Sequence, residues 1–247
     1  MMQHCVQTAR AAGVFAQFHV LTDRPIAGCQ CYDAYHCDKA DGLFKLHYLK
    51  VGMTELNFDY FIWLDADTVF IRNPIDVLEP LGHSPIHVPL EVGLSALTLD
   101  REYKGVSCFK LRDLLREEGI SNCPYLSRSA FWIIHQEAIR QVYELALGFW
   151  HRAKETGLLL TVDHALGYAA QMLCANPESH RLEYASHIWI SDDEGQFKDS
   201  IPDGAAWTWH HPLLSEGTQV RPAIVHLPQS KQVLINKAVM GLGANTP

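Results

Sequence analysis

Tyr60-Phe61-Ile62-Trp63-Leu64-Asp65-Ala66-Asp67-Thr68-Val69-Phe70 is the stretch on which the reading of this chain turns. The unbroken apolar run Tyr60–Leu64 reads as a short strand buried on both faces, of the kind found inside a largely parallel sheet. It stops abruptly at Asp65-Ala66-Asp67. Carboxylates at the C-terminal end of an apolar strand stand where open α/β sheets bind ligands. One residue separates the two acids, so a turn at the strand end lets both reach one divalent cation. Hard oxygen donors suit Mg²⁺ or Mn²⁺, which keep coordination positions open for substrate phosphates. Solvated turn carboxylates are the plain alternative, and the almost wholly apolar flanks weigh against it.

Outward from this strand, helical and strand-like segments alternate, which predicts an α/β architecture with a mixed, mostly parallel sheet. Upstream, 3–12 reads as the end of a helix, 18–22 as a strand, and 24–40 as a loop rich in Cys, Asp and Tyr. A helix is expected from Asp41, as its N-cap, to Met53. Downstream, helices are expected at 107–118, 135–155, 163–173 and near 229–239, and strands at 129–134, 182–190 and 223–226. Residues 191–220 show no clear period; within them Trp207, Trp209, His210 and His211 make an aromatic, polar loop, either an acceptor-stacking surface or a packed lid. No repeat or linker interrupts the chain, so one domain over 1–247 is expected.

Composition excludes several classes. An AVILMFWYC share of 48% rules out a disordered chain. Lys+Arg 20 against Asp+Glu 28 gives a net charge of −8 with no basic run, which argues against nucleic acid as a partner. No apolar run approaches the roughly 20 residues that span a bilayer, and Met1-Met2-Gln3-His4-Cys5 does not open a signal peptide. Seven cysteines, an odd number, make no disulfide framework, so a reducing compartment, the cytoplasm, is expected. Cys29, Cys31 and Cys37 cluster with His36, but a Cys-x-Cys without a second pair fits zinc poorly, and free thiols in a loop are the preferred reading.

Phe58 through Phe70, followed by Asn73-Pro74-Ile75-Asp76-Val77-Leu78, resembles the Asp-x-Asp region of nucleotide-sugar-dependent glycosyltransferases with the GT-A fold. It is most similar to the glycogenin and lipopolysaccharide-galactosyltransferase group (glycosyltransferase family 8-like). Lys45, in Phe44-Lys45-Leu46-His47, matches a basic residue that in this group reaches sugar or phosphate. Ser127 and Ser129, in Tyr125-Leu126-Ser127-Arg128-Ser129-Ala130-Phe131-Trp132, match a strand whose small polar residues touch the donor sugar. The chain departs there, with Ser127 at a position the group fills with Asn and Arg128 beside it. Asp163, in Thr161-Val162-Asp163-His164-Ala165-Leu166, matches an acid at a helix start; an N-cap is its ordinary role, and the two are compatible. His226, closing Ile224-Val225-His226-Leu227, matches the His that completes the group's metal site, although the Gly that follows it there is absent.

The resemblance implies a metal-dependent hexosyltransferase using a nucleotide-sugar donor, most naturally a UDP-sugar, and a glycan or lipid-linked acceptor, with retention of configuration. It implies Asp65, Asp67 and His226 as ligands of Mn²⁺ or Mg²⁺, and Lys45, Asp65, Ser127, Ser129 and Asp163 as substrate-binding residues. Asp163 is also the catalytic candidate. Peripheral membrane contact is compatible with a lipid-linked acceptor. The chain begins within the helix that follows the group's first strand, so a missing first strand, an open slot beside 18–22 and a weakly anchored 1–12 are also implied. Two other readings stay open: a haloacid-dehalogenase-type phosphatase, with Asp65 as nucleophile, Asp67 as general acid and Ser191-Asp192-Asp193 as its later acidic motif, and a nucleotide-sugar-binding protein without turnover.

Overall fold

The computed structural model describes residues 1–14, 17–22, 24–32, 44–50, 53, 58–78, 85–87, 90–93, 102–120, 125–127, 130–173, 187–191, 207–208 and 216–228. In chain order the elements are α1 (Met2–Ala11), β1 (His19–Leu21), β2 (Gln30–Tyr32), α2 (Phe44–His47), β3 (Tyr60–Leu64), β4 (Thr68–Phe70) and α3 (Ile75–Leu78). There follow β5 (Ile86–His87), β6 (Leu90–Gly93), β7 (Glu102–Tyr103), β8 (Val106–Ser107), α4 (Cys108–Glu117), β9 (Tyr125–Ser127), β10 (Phe131–His135), α5 (Ile139–Glu155) and α6 (Val162–Leu173). The last are β11 (Trp189–Ser191), β12 (Trp207–Thr208), β13 (Gln219–Val220) and β14 (Ile224–His226). Contacts divide the chain into two compact units: Met1–His36 with Leu64–Gly82 and Leu182–Pro247, and Cys37–Trp63 with His83–Arg181.

The first unit is built on the sheet β11-β14-β4. β14 runs parallel to β11 and antiparallel to β4, and Val69, Ile190, Val220, Val225 and Leu227 form its apolar core. α1 packs on β4 and buries Cys5, Val6 and Ala9. The helix ends in a complete Schellman cap, with Gly13 N donating to Arg10 O and Val14 N to Ala9 O. Gly13 has φ +76, a conformation that glycine adopts without the Cβ penalty. Asn73 Nδ2 donates to Gly13 O at 3.0 Å, while Asn73 Oδ1 accepts from Ile75 N and starts α3. Thr8 Oγ1 accepts from Phe70 N at 3.2 Å, and Arg10 donates to Ala27 O and Gly28 O. Residues 1–12 are therefore firmly anchored, which corrects the expectation of a loose N-terminal segment: the apolar face of α1 is part of the unit's interior.

The second unit carries the sheet β3-β10-β5, the antiparallel pair β6-β9 and the hairpin β7-β8. α5 packs against α6, and α6 against β9 and β5. The main core gathers Leu46, Leu49, Ile86, Trp132, Ile134, Val142 and Leu166, with Phe61 and Trp63 of β3 packed against it. Trp132 is wholly buried and stacks on Trp63, with centroids 5.4 Å apart and planes at 21°. A second cluster joins Leu111, Leu115, Phe149 and Tyr168.

The mixed α/β fold agrees with the sequence reading, with particular differences. Phe61 and Trp63 of β3 pack inward, while Ile62, pointing the other way, is 37% exposed. The segment 24–40 contains a strand, β2, paired parallel with β1. Antiparallel pairing is commoner among the described strands than the helix–strand alternation suggested. A 3-10 turn at Gln136–Ala138 precedes α5, and Trp207 and Thr208 pair with β13 instead of lying in a loop. Asp41, the helix near 229–239, His36, Cys37, Trp209, His210 and His211 lie outside the described residues.

Truncating Trp132 to Ala should lower stability by about 3–5 kcal/mol, because it removes a fully buried indole and leaves a cavity against Trp63. Ile62→Ser, on the exposed face of the same strand system, should change stability by less than about 1 kcal/mol. Urea unfolding midpoints at constant slope check both.

Candidate metal centre and the Asp163 cluster

β3 delivers Asp65, and a two-residue turn carries the chain through Ala66 and Asp67 into β4. β14 pairs with β4 so that His226 stands opposite Thr68, the residue after Asp67. Leu227 N donates to Asp67 O at 2.8 Å and extends this pairing by one step. Residues 159 positions apart are thereby brought into contact, with His226 Nε2 3.1 Å from Asp67 Oδ1. The antiparallel pairing of β14 with β4 makes this approach. One ligand atom from each of Asp65, Asp67 and His226 lies within 4.8 Å of the others.

These residues fit a divalent cation. An ion with bonds of about 2.1 Å holds donor atoms at most about 4.2 Å apart, so a small side-chain rotation closes the set. Two carboxylates and one imidazole suit Mg²⁺ or Mn²⁺ and leave positions open for other oxygen ligands. His226 is held on every side. Its Nδ1 is 2.9 Å from Ser191 Oγ, and the Trp189 ring stacks on it at 5.7 Å and 20°. The Asp67 carboxylate and the His226 side chain are about a tenth exposed, so their contact is shielded from water. Burial, and then the negative charge of Asp67, push the Cys5 thiol up to about 12. Cys5 stays protonated and brings no thiolate to this group.

In the second unit, Asp163 is buried in the first turn of α6. It is not the N-cap, a position that Thr161 holds. Thr161 N donates to His164 Nδ1 at 3.2 Å, the half of a capping box in which the third helical residue reaches back to the chain entering the helix. Thr161 Oγ1 lies 2.8 Å from His164 Nδ1 and donates to Asp163 Oδ2 at 3.2 Å. Lys104 Nζ meets Asp163 Oδ1 at 2.7 Å. Lys104 and Gly105, with φ of 49° and 78°, make the turn of the β7-β8 hairpin, and this turn delivers the ammonium. Burial lowers the His164 pKa to about 4, with Asp163 raising it and Lys104 lowering it to smaller extents. The ring is neutral at neutral pH, with its proton on Nε2, because Nδ1 accepts from Thr161.

The remaining expected site residues are placed as follows. Lys45, on α2, sets its ammonium 5.7 Å from the centre of the Trp63 ring, a cation–π contact two residues before Asp65. Ser127 ends β9 and pairs with Leu90 of β6, and Ser129 lies outside the described residues. The structure thus brings Asp65, Asp67 and His226 together in the first unit, while Lys45 and Asp163 belong to the second. Sequence reasoning missed Ser191 and Lys104 as neighbours of the site residues. The Lys-Gly turn signal between short strands could have pointed to the hairpin carrying Lys104.

Comparison with solved structures supplies the fold. The galactosyltransferase LgtC, solved in complex with donor and acceptor sugar analogues, superposes with a TM-score of 0.53 at 14% identity, over 100% of this chain and 92% of LgtC. An active-site mutant of LgtC superposes at 0.55 and 13% identity with the same coverage. The chain has the GT-A fold. No protein family and no curated protein matches it in sequence. No helix among the described residues is long and apolar enough to cross a membrane.

The His164 geometry carries a pH dependence. The unfolded ring titrates near 6.5 and the folded ring near 4, so between these values the unfolded state binds more protons. Stability should therefore fall as pH drops from about 6.5 to about 4, by on the order of 3 kcal/mol from this residue. His164→Gln, which keeps an acceptor for Thr161 N, should flatten that part of the stability–pH curve. Urea titrations of both proteins from neutral pH down to about 4 check it.

Proposed function

We propose that this chain, acting as one glycosyltransferase domain over 1–247, transfers a hexose from a nucleoside-diphosphate sugar to a glycan or lipid-linked acceptor. UDP is the nucleotide we favour, the cytoplasm the compartment, and retention the stereochemical course. The observation that carries the reading is the convergence of Asp65, Asp67 and His226 in a chain with the fold of LgtC. Asp65, Asp67 and His226 would hold Mn²⁺ or Mg²⁺, whose chemistry is to neutralise the diphosphate as it leaves. Two carboxylates and a neutral ring formally balance the charge of a bound dication, and the coordination positions they leave open favour the anionic oxygens of a diphosphate over the weaker donors of a neutral sugar.

The chain's own residues then divide the work. Lys45 contributes a cation, set over the Trp63 ring, suited to phosphate or sugar hydroxyls. Asp163 accepts hydroxyl hydrogen bonds from the sugar or acceptor. Its carboxylate is held in place by Lys104 and Thr161, so it presents a fixed acceptor to a ligand. Ser127 and Ser129 line the donor sugar, with Ser127 in place of a larger amide. A haloacid-dehalogenase-type phosphatase would use Asp65 and Asp67 but gives His226 no part, and the His226–Asp67 contact therefore favours the transferase.

Incubation with a panel of UDP-hexoses and Mn²⁺ should give slow donor hydrolysis without acceptor and faster turnover with a matching glycan. Asp65→Asn and His226→Ala should each reduce it on the order of 100-fold. EDTA should abolish it and Mn²⁺ restore it. UDP binding with no turnover of any donor would support the silent binding protein, and Mg²⁺-dependent hydrolysis of p-nitrophenyl phosphate lost in Asp65→Asn would support the phosphatase.

A further inference from the structure

We infer that Ser191 is a positioning residue that lets the His226 ring exchange its proton-bearing nitrogen when a cation enters the Asp65–Asp67–His226 group. The inference rests on the metal reading above. Ser191 and His226 are register partners in the parallel pair β11–β14, and both are buried. Ser191 Oγ lies 2.9 Å from Nδ1, and Asp67 Oδ1 lies 3.1 Å from Nε2, at opposite ends of one ring. The stacked Trp189 ring fixes the plane in which the imidazole lies.

The two ends of the ring place different demands on it. Without a cation, a bare Nε2 lone pair would face a carboxylate oxygen at hydrogen-bond distance, which is repulsive. Nε2 therefore carries a proton and donates it to Asp67, and in the neutral ring Nδ1 accepts from the Ser191 hydroxyl. A cation needs the opposite arrangement, because Nε2 must offer its lone pair. The Nε2 proton is given up to solvent as the cation enters, Nδ1 takes one from solvent in its place, and that N–H must be donated. A carboxylate or a backbone carbonyl at Nδ1 could only accept, and would pin the ring in the second state; a backbone N–H could only donate, and would pin the first. A hydroxyl does either by rotating about Cβ–Oγ. Ser191 thus keeps a buried Nδ1 satisfied in both states, so loading the centre leaves no orphaned polar atom at this ring. Metal-bound histidines generally have their second nitrogen held in this way, and losing the partner weakens metal affinity about 10–100-fold.

The test reads metal binding directly, with no nucleotide or sugar present. Free Mn²⁺ is followed by electron paramagnetic resonance in titrations of the wild type, Ser191→Ala and Ser191→Thr, with thermal unfolding in EDTA as the folding control. Ser191→Ala should bind Mn²⁺ about 10–100-fold more weakly. Ser191→Thr, which keeps the hydroxyl, should stay within about threefold of wild type. On the wild type alone, ¹⁵N chemical shifts of the His226 ring should place the proton on Nε2 in EDTA and on Nδ1 with saturating Mg²⁺. Equal Mn²⁺ affinity in wild type and Ser191→Ala, equal losses in Ala and Thr, or the same tautomer with and without Mg²⁺ overturns the role of Ser191. No Mn²⁺ binding by the wild type overturns this role and the metal reading together, whereas a tautomer exchange with no sugar transfer upholds the role of Ser191 and removes only the transferase.

Discussion

The register of β14 on β4 is the constraint on which the candidate centre depends. His226 meets Asp67 because it stands opposite Thr68 in an antiparallel pair, and Leu227 N reaches Asp67 O one step further on. A slip of one residue would turn the imidazole to the other face of the sheet. The surrounding contacts resist that slip. Val69 and Val225 are register partners inside the apolar core, so a shift would drive them out of it. α1 holds the same strand through Thr8 Oγ1 to Phe70 N, and its glycine cap is tied to Asn73 just after β4. A helix with no ligand-bearing role is thus part of what positions the acids.

The second unit solves a different problem, a buried carboxylate. An unpaired charge at Asp163 would be costly to bury. Lys104 supplies the opposite charge and Thr161 a hydroxyl, while His164 stays neutral and secures the helix start. Because Nδ1 of His164 already accepts from the Thr161 backbone, the ring organises the turn and has no free lone pair with which to take a proton from a substrate. Asp163 is thereby paired and held in one position.

What the sequence disclosed follows from which signals are local. The apolar run ending in Asp65-Ala66-Asp67 is continuous in the chain, and it was legible both as a strand and as a pair of acids set at one strand end. His226 was legible as a candidate only through the family resemblance, since a His closing an apolar strand is by itself an ordinary feature. Periodicity reports that a strand exists, not which strand it joins or in which direction, so the antiparallel pairing of β14 with β4 that brings His226 to Asp67 was not legible. Ser191 and Lys104 escaped for the same reason. Each becomes a neighbour of a site residue only through pairing that the chain does not encode locally: β11 with β14, and a hairpin turn reaching Asp163. The exposure of Ile62 on β3 was likewise invisible, since an apolar run reads alike whether or not every residue of it is covered.

Anomalous diffraction at the manganese edge, from crystals grown with Mn²⁺ and UDP, is the most direct test of the centre. A single anomalous peak within about 2.5 Å of oxygens of Asp65 and Asp67 and of His226 Nε2, with a diphosphate oxygen in its coordination sphere, is the expected result. A peak elsewhere, or a diphosphate bound with Asp67 and His226 still hydrogen-bonded to each other and no ion between them, would contradict the assignment.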